Sequence, residues 1–193
     1  MPRLKAQLVV ETSRDTITYV SGTDWKVTTE GPIQRNNLWN GERYEAAREM
    51  KNWQMPFFDD SAWKQAEKMQ SPTGIVCPQP CNGMRIQKEL KPKSIRRTED
   101  GRIIIDMGQN MVGQVSVRIA GKKDTPVVIR HAEILEPNDS NRIFVANLRS
   151  ANCTDTYIPV TDGVFTYQPQ LTYQGFRYVE ITGAASTPKP SDI

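Results

Sequence analysis

Short stretches of β-branched and aromatic residues, separated by polar turns, recur along most of the chain. Residues 4–11 and 15–20 form the first two predicted strands, joined by a short polar turn. Between residues 114 and 119 polar and apolar positions alternate, which is typical of a strand with one buried face and one solvated face. Further predicted strands contain Ile103, Val127, Tyr157, Phe165 and Phe176. Strands at this spacing, with turns between them, favour a β-sandwich.

Helical signals are few. The residues 59–61, Asp-Asp-Ser, precede the segment 62–66 and predict a capped single helical turn there. Residues 46–50 predict a second short turn, and no stretch supports a long amphipathic helix. The expected fold class is therefore all-β, with two β-sandwich, jelly-roll-like modules and few short helical turns.

A domain boundary is expected at residues 88–100, because that stretch is polar and basic and contains Pro92. All four tryptophans of the chain precede it. Residues 186–192 carry two prolines and no apolar pattern. We therefore predict a first module over residues 1–92, a second over residues 93–186, and a tail or interdomain linker over residues 187–193.

Composition and charge exclude several classes of protein. The 193 residues carry a formal charge of +3, which is too small to indicate a nucleic-acid partner. No apolar run approaches the ~20 residues of a membrane span. The first residues lack the apolar core of a signal peptide, so the compartment stays open between cytoplasm, periplasm and secretion. Three cysteines and a single histidine argue against a disulfide scaffold or a zinc site.

The segment 39–45 combines an aromatic platform with side chains that bind sugar hydroxyls. Carboxylate and amide oxygens also suit calcium, for which Asn40 and Glu42 are the candidate ligands. Flat aromatic faces stack on the C–H faces of sugar rings. The alternatives are a structural turn at this segment and tryptophans that fill a core. The candidate carbohydrate-binding residues are Trp39, Asn40, Gly41, Glu42, Tyr44, Glu45 and Trp53.

Catalytic residues are not assigned. Asp59, Asp60 and Asp106 could act as acid–base pairs for glycoside hydrolysis, but Asp59 and Asp60 are better interpreted as caps of the turn that follows them. His131 stands near the end of a predicted strand with no nucleophile pattern beside it, which favours a structural role. Cys77 and Cys81 are expected as free thiols, with a local disulfide as the alternative.

Several motifs resemble the β-sandwich region that precedes the catalytic barrel in bacterial α-L-rhamnosidases. The second half of the chain carries IDMGQNMVG at 105–113, RHAEIL at 130–135 and YQGFRYVEI at 173–181. In the first half, GERYEA at 41–46 and FDDSAWK at 58–64 resemble the N-terminal, carbohydrate-binding-like domain of that family. The resemblance covers residues 4–185.

The resemblance implies a role without chemistry of its own. In the family the catalytic carboxylates lie in an (α/α)6 barrel that follows this region, so none is carried over to this sequence. The implied function is a non-catalytic part of an α-L-rhamnosidase that binds a rhamnose-containing glycan and supports the barrel. A purely structural scaffold is the alternative. The implied partners are the missing barrel and, through the exposed barrel-facing surface, a second copy of the chain.

Overall fold

The computed structural model describes residues 3–70, 73–75 and 77–193, whose ordered elements are almost all strands. Single 3₁₀ turns occur at Ala46–Arg48, Ala146–Leu148 and Pro190–Asp192. The predicted all-β class with few short helical turns is therefore confirmed. Among the described residues, no helix is long and apolar enough to cross a membrane. The strands are β1 (Gln7–Glu11), β2 (Thr16–Val20), β3 (Lys26–Val27), β4 (Ile33–Asn37), β5 (Gly41–Glu45), β6 (Lys64–Gln65), β7 (Ser94–Arg97), β8 (Ile103–Gly113), β9 (Val117–Gly121), β10 (Val127–Ala132), β11 (Leu135–Glu136), β12 (Asp139–Ile143), β13 (Thr154–Ile158), β14 (Gly163–Tyr167) and β15 (Gln174–Thr182).

One predicted helical turn is present and the other is not. The turn predicted over residues 46–50 is confirmed by the 3₁₀ turn at Ala46–Arg48. The capped turn predicted over residues 62–66 is wrong, because Lys64 and Gln65 form β6 and pair with β3. The carboxylate of Asp59 does accept the N–H of Ser61 at 3.0 Å, as a cap would. The backbone partners offered by β3 outweigh that local signal.

Contacts divide the chain into two compact units, each built from segments that are distant in the sequence. The first unit comprises Met1–Thr29 and Lys51–Gly83, and the second comprises Glu30–Met50 and Met84–Ile193. The predicted modules over 1–92 and 93–186 differ from this division at residues 30–50. These residues form β4 and β5, which pair into the sheet of the second unit. The boundary near residue 92 stays a prediction.

The first unit contains an amphipathic hairpin. β1 and β2 pair antiparallel, with Leu8 opposite Tyr19 and Val10 opposite Ile17. Residues that pair directly across two strands share a face, as do residues two apart along one strand. These four apolar side chains therefore cover one face of the hairpin. A short pair formed by β3 and β6 is the other sheet of this unit in the described residues.

The second unit is built on a seven-stranded sheet with the order β4-β5-β13-β10-β15-β8-β7. The separate β9–β14 pair contributes Val117, Ile119 and Tyr167 to the same core as the large sheet. β8 and β15 supply fully buried Ile103, Ile105, Val179 and Ile181. Alternating apolar residues from both sheets thus meet in one core, which is the arrangement of a β-sandwich.

A parallel pairing attaches residues 30–50 to this sheet. β5 lies parallel to β13, with Tyr44 opposite Tyr157, whereas the other paired strands of the described sheet run antiparallel. The attachment is close at Gly41, which has φ +88° and whose missing Cβ would overlap the carbonyl of Thr154. Glycine is required there because it has no Cβ and accepts a left-handed backbone.

The expected boundary stretch and the expected tail both contribute to the second unit. In the basic stretch 88–100, Ser94–Arg97 form β7, which pairs with β8 at the edge of the large sheet. The expected tail over residues 187–193 ends in a 3₁₀ turn, and Ile193 packs against the core. The Lys91 ammonium donates to the Ile193 carbonyl at 2.7 Å, and this hydrogen bond connects the two stretches.

Gly183, just after β15, provides a test of the close backbone contact between this position and Pro126 in the second unit. Its φ is +77°, and a Cβ there would overlap the Pro126 carbonyl oxygen. We expect Gly183→Ala to lower the free energy of unfolding by more than the ~1–2 kcal/mol that a left-handed backbone alone costs. Urea denaturation measures the loss.

The matched control for this substitution is Gly175→Ala in β15. Gly175 has no positive φ, and a Cβ there meets nothing within 4 Å. We expect its free energy of unfolding to stay within about 0.5 kcal/mol of the unsubstituted chain. Equal losses from the two substitutions would contradict the close approach at Gly183.

Candidate functional site

The predicted sugar-binding residues fall into two groups. Trp39 to Glu45 occupy the β4–β5 turn and β5 in the second unit, whereas Trp53 belongs to the first unit. The turn is held by Asn37, whose side-chain oxygen accepts the N–H groups of Trp39 at 2.9 Å and Asn40 at 3.2 Å. Asparagine at such a position forms a turn by accepting from the backbone beyond it.

Glu42 is an interior residue with its carboxylate fully engaged. Only 1% of it is exposed. Tyr167 donates its hydroxyl to Oε1 at 3.1 Å. Oε2 accepts from the side-chain amide of Asn36 at 3.1 Å and from the backbone N–H groups of Gln170 and Leu171 at 3.1 and 3.4 Å. Four donors and no required acceptor fit an ionised carboxylate, whose burial would otherwise be costly.

Asn40 and Gly41 are engaged with the chain that leads into β13. The Asn40 side-chain oxygen accepts the N–H of Asn152 at 3.3 Å, and its carbonyl accepts the N–H of Thr154 at 3.2 Å. One residue on, the N–H of Glu42 donates to Asp155 at 2.8 Å. These bonds make the segment a joint between two strands.

Tyr44 and Glu45 also have partners within the second unit. The ring of Tyr44 stacks on Tyr157 with centroids 5.6 Å apart. Burial raises the pKa of the Tyr44 hydroxyl, which donates to Glu49 at 2.9 Å. Glu45 accepts from Arg48 at 2.8 Å and pairs with Arg43 at 3.0 Å, and these guanidinium groups lower the pKa of its carboxyl. Both side chains are committed to local structure.

The two tryptophans are the predicted site residues with free faces. Trp39 is 71% exposed and Trp53 is 57% exposed. Trp39 stands beside exposed Leu38, and the 170–174 segment, which carries exposed Leu171, lies against the same turn. Leu38, Trp39 and Leu171 together are called the turn patch below.

The residues present do not fit a calcium ion at Asn40 and Glu42. The carboxylate oxygens of Glu42 already accept four hydrogen bonds, and the side-chain oxygen of Asn40 accepts another. Calcium requires six to eight oxygen ligands. Across the described residues, no group of three or more histidine, cysteine or acidic side chains could hold a metal.

The other predicted chemical groups have structural partners too. Asp106 forms a two-point pair with Arg177 at 2.9 and 3.0 Å, which lowers the pKa of the carboxyl. Asp60 pairs with Lys26 at 2.6 Å. Cys77, Cys81 and Cys153 are free thiols, as expected for the first two.

The second unit also contains a buried polar cluster that the sequence pattern does not indicate. Glu42, His131, Asp155 and Tyr167 are each at most 3% exposed and come together from β5, β10, β13 and β14. Asp155 lies within the sequence NCTDTY, but no local pattern shows that its partner Glu42 is 113 residues away. An acidic residue inside an otherwise β-branched strand is the one signal that could have revealed it.

Glu42→Gln tests whether this carboxylate holds the joint together. The amide would turn an N–H group toward donors, so we expect the free energy of unfolding to fall by about 2–3 kcal/mol. The control is Glu45→Gln, which removes surface ion pairs and is expected to cost less than about 1 kcal/mol. Urea denaturation of both variants measures the difference, and a loss no larger for Glu42→Gln would contradict the buried network.

Comparison with known proteins accounts for almost the whole chain. Residues 1–88 match the α-L-rhamnosidase N-terminal domain, and residues 96–193 match the bacterial α-L-rhamnosidase concanavalin-like domain. An α-L-rhamnosidase of Streptomyces avermitilis is 42% identical over 195 residues, which span all of this chain and 18% of that protein. One from Alteromonas sp. is 37% identical over 191 residues, which span 98% of this chain and 20% of that protein.

Solved structures agree with these matches. The α-L-rhamnosidase of Dictyoglumus thermophilum superposes with a TM-score of 0.88 at 35% identity, covering 96% of this chain and 21% of that one. The Streptomyces avermitilis enzyme, solved in complex with L-rhamnose, also gives 0.88, at 41% identity over 97% of this chain and 18% of that one. The chain therefore belongs to the bacterial α-L-rhamnosidase family, whose N-terminal and concanavalin-like domains it matches over about a fifth of the relatives' length.

Proposed function

We propose that this chain is an accessory, non-catalytic region of an α-L-rhamnosidase, and that it supports the rest of the enzyme by packing against it. The observation that carries the proposal is the apolar face of the β1–β2 hairpin. The carboxylates of Glu42, Glu45 and Asp106 give further support. Each accepts hydrogen bonds from side chains of this chain, so each has a structural role.

The hairpin exposes side chains that a sheet normally buries. Leu8, Val10, Ile17 and Tyr19 share one face and are 38% to 59% exposed. The opposite face carries threonine, glutamine and glutamate together with the exposed valines Val9 and Val20. A two-stranded hairpin is marginal alone and needs a partner on its apolar face. Contiguous exposed apolar surface of this kind marks an interaction site.

The turn patch gives the second unit an apolar surface of its own. Leu38, Trp39 and Leu171 are each at least half exposed, although Glu42 directly beneath them is fully bonded. The hydrogen-bonded turn therefore presents apolar and aromatic side chains to solvent, as the core of a protein interface does.

The partner proposed for both surfaces is the remainder of the longer enzyme. The chain spans 18% and 20% of the first two relatives, so most of such a protein lies outside the matched region. The family resemblance implies a catalytic barrel there. A second copy of this chain is the occupant expected when the barrel is absent.

A chimera tests the proposed packing. We replace the matched segment of the Streptomyces avermitilis α-L-rhamnosidase with this chain and measure solubility and hydrolysis of a chromogenic α-L-rhamnoside. We expect the chimera to be soluble and active, the enzyme with that segment deleted to aggregate or lose activity, and this chain alone to be inactive. A deletion enzyme as active and stable as the whole one would contradict the proposal.

A hairpin variant shows whether the apolar face is the contact surface. Leu8→Ser, Val10→Ser, Ile17→Thr and Tyr19→Thr together should weaken the chimera, and should reduce self-association of the isolated chain in analytical ultracentrifugation. Val9→Ser with Val20→Thr alters the opposite face of the same hairpin and is the matched control. Equal effects of the two variants would argue against the face as an interface.

A second candidate function is sugar binding at Trp39, favoured by its free indole face. Aromatic faces of this kind stack on sugar rings, and the indole N–H can donate to a hydroxyl. Under this proposal a rhamnose-containing glycan contacts Trp39, with Trp53 as a separate candidate in the first unit.

Calorimetric titration with L-rhamnose tests this candidate. We expect heat of binding that is independent of calcium, because the calcium ligands proposed from the sequence are already bonded. Trp39→Ala should weaken binding by about tenfold, equivalent to ~1.4 kcal/mol. Leu38→Ala, which alters the turn patch without removing an aromatic ring, is the control. No heat at millimolar sugar, with or without calcium, would contradict sugar binding.

A further inference from the structure

The buried cluster beneath β5 has a protonation pattern that the proposed function does not use. Its ionisable members are Glu42, His131, Asp155 and Tyr167. The cluster lies in the interior of the second unit, so its protonation is independent of the surfaces proposed to pack against the rest of the enzyme.

The hydrogen bonds of His131 fix which ring nitrogen carries its proton. Nδ1 lies 3.0 Å from the carbonyl oxygen of Cys153, and a carbonyl can only accept. Nδ1 is therefore the N–H donor. Complete burial lowers the pKa of His131 to about 4, so the ring is neutral near pH 7 and Nε2 presents a lone pair.

That lone pair faces Asp155. Nε2 is buried, has no hydrogen-bond partner in the present geometry, and lies 3.9 Å from Asp155 Oδ2. Asp155 Oδ1 accepts the N–H of Glu42 at 2.8 Å, which fixes the orientation of the carboxyl group. If Asp155 were ionised, an oxygen lone pair would face the lone pair of Nε2. The negative charge of Asp155 would also lie close to the negative charge of Glu42.

We propose that one proton is held between Asp155 Oδ2 and His131 Nε2, so that the buried pair is uncharged and the β5–β13 joint is strongest while that proton is bound. In this state Asp155 is a carboxylic acid that donates to Nε2 after a small closure of the 3.9 Å separation. The Asp155 side chain then links β5, through the Glu42 N–H, to β10, through His131.

The surrounding groups support a single proton on this pair. The pKa of Tyr167 on β14 and that of the Cys153 thiol are both raised, chiefly by burial, so neither adds charge near neutral pH. The positive charge of Arg130 on β10 acts in the opposite direction and favours the ionised thiol, but burial has the larger effect on the pKa of Cys153. Burial also raises the pKa of Asp155 to about 6, opposed by the Glu42 N–H and reinforced by the Glu42 charge.

The pH dependence of the two members has opposite signs. The pKa of Asp155 is raised from 3.8, so its contribution to stability is full below pH 3.8 and is lost as pH rises through about 6. The pKa of His131 is lowered from 6.5, so its contribution is full above pH 6.5 and is lost as pH falls through about 4. Only comparison of variants separates these effects.

Asp155→Asn is the test of the held proton. Asparagine keeps an oxygen for the Glu42 N–H and provides a permanent N–H for Nε2. Relative to the unsubstituted chain, we expect the folding equilibrium constant of D155N to rise about a hundredfold between pH 4 and pH 7.5, since each pKa unit is worth tenfold. Urea denaturation across this pH range measures the ratio.

Asp106→Asn is the matched control, because its carboxyl has a lowered pKa through Arg177. Asp106→Asn should lower the free energy of unfolding relative to the unsubstituted chain, and this loss should become smaller as the pH drops below 4. A D155N ratio that is constant with pH, or that follows the Asp106→Asn pattern, would overturn the proposal.

Nuclear magnetic resonance of the ring nitrogens gives a second reading that needs no variant. His131 is the single histidine of the chain, so its signals are unambiguous. We expect a neutral ring with its proton on Nδ1 from pH 5.5 to pH 8. A ring protonated on Nε2, or one that titrates near pH 6.5, would overturn the proposal even where D155N fails to fold.

Discussion

Moving a carboxylate out of water is costly unless donors surround it, and the second unit meets this requirement at Glu42. The donors come from Asn36 before the turn, Tyr167 at the end of β14, and the N–H groups of Gln170 and Leu171. Asn36 is close to Glu42 in the sequence, whereas Tyr167, Gln170 and Leu171 belong to one segment that is at least 125 residues away. The charge of Glu42 therefore ties the β4–β5 turn to the other side of the core, and the placement of the turn patch depends on it.

The sequence was sufficient for the elements whose pattern is local. Alternation around Val117 and Ile119 predicts a strand with one buried face, and both residues are buried in β9. The sequence was insufficient where the secondary structure of a segment depends on partners that are distant in the chain. The signal for a helical turn near Ala62 is outweighed by the pairing of β6 with β3, and residues 30–50 join a sheet whose other strands begin at residue 94.

The candidate site shows the same division. A turn rich in carboxylates and amides beside Gly41 predicts ligand binding, because these groups commonly face solvent. Here Gly41 is required for the approach of β5 to Thr154, and Glu42 faces the interior. Burial of an acidic side chain depends on donors that arrive from residues 167–171, and nothing in the local sequence announces them. The exposure of Trp39 and Trp53 agrees with the local pattern.

The parallel pairing of β5 with β13 has a consequence for the order of folding. Glu42 and its partner Asp155 are 113 residues apart, so synthesis from the N-terminus produces β4 and β5 long before the strand that receives them. Contacts of such long range form late and slowly. During that interval one edge of β5 has no strand partner, and water solvates the Glu42 carboxylate. β4 pairs with the other edge of β5, and its polar run Gln34-Arg35-Asn36-Asn37 lacks the apolar side chains that favour pairing of an exposed edge with another chain.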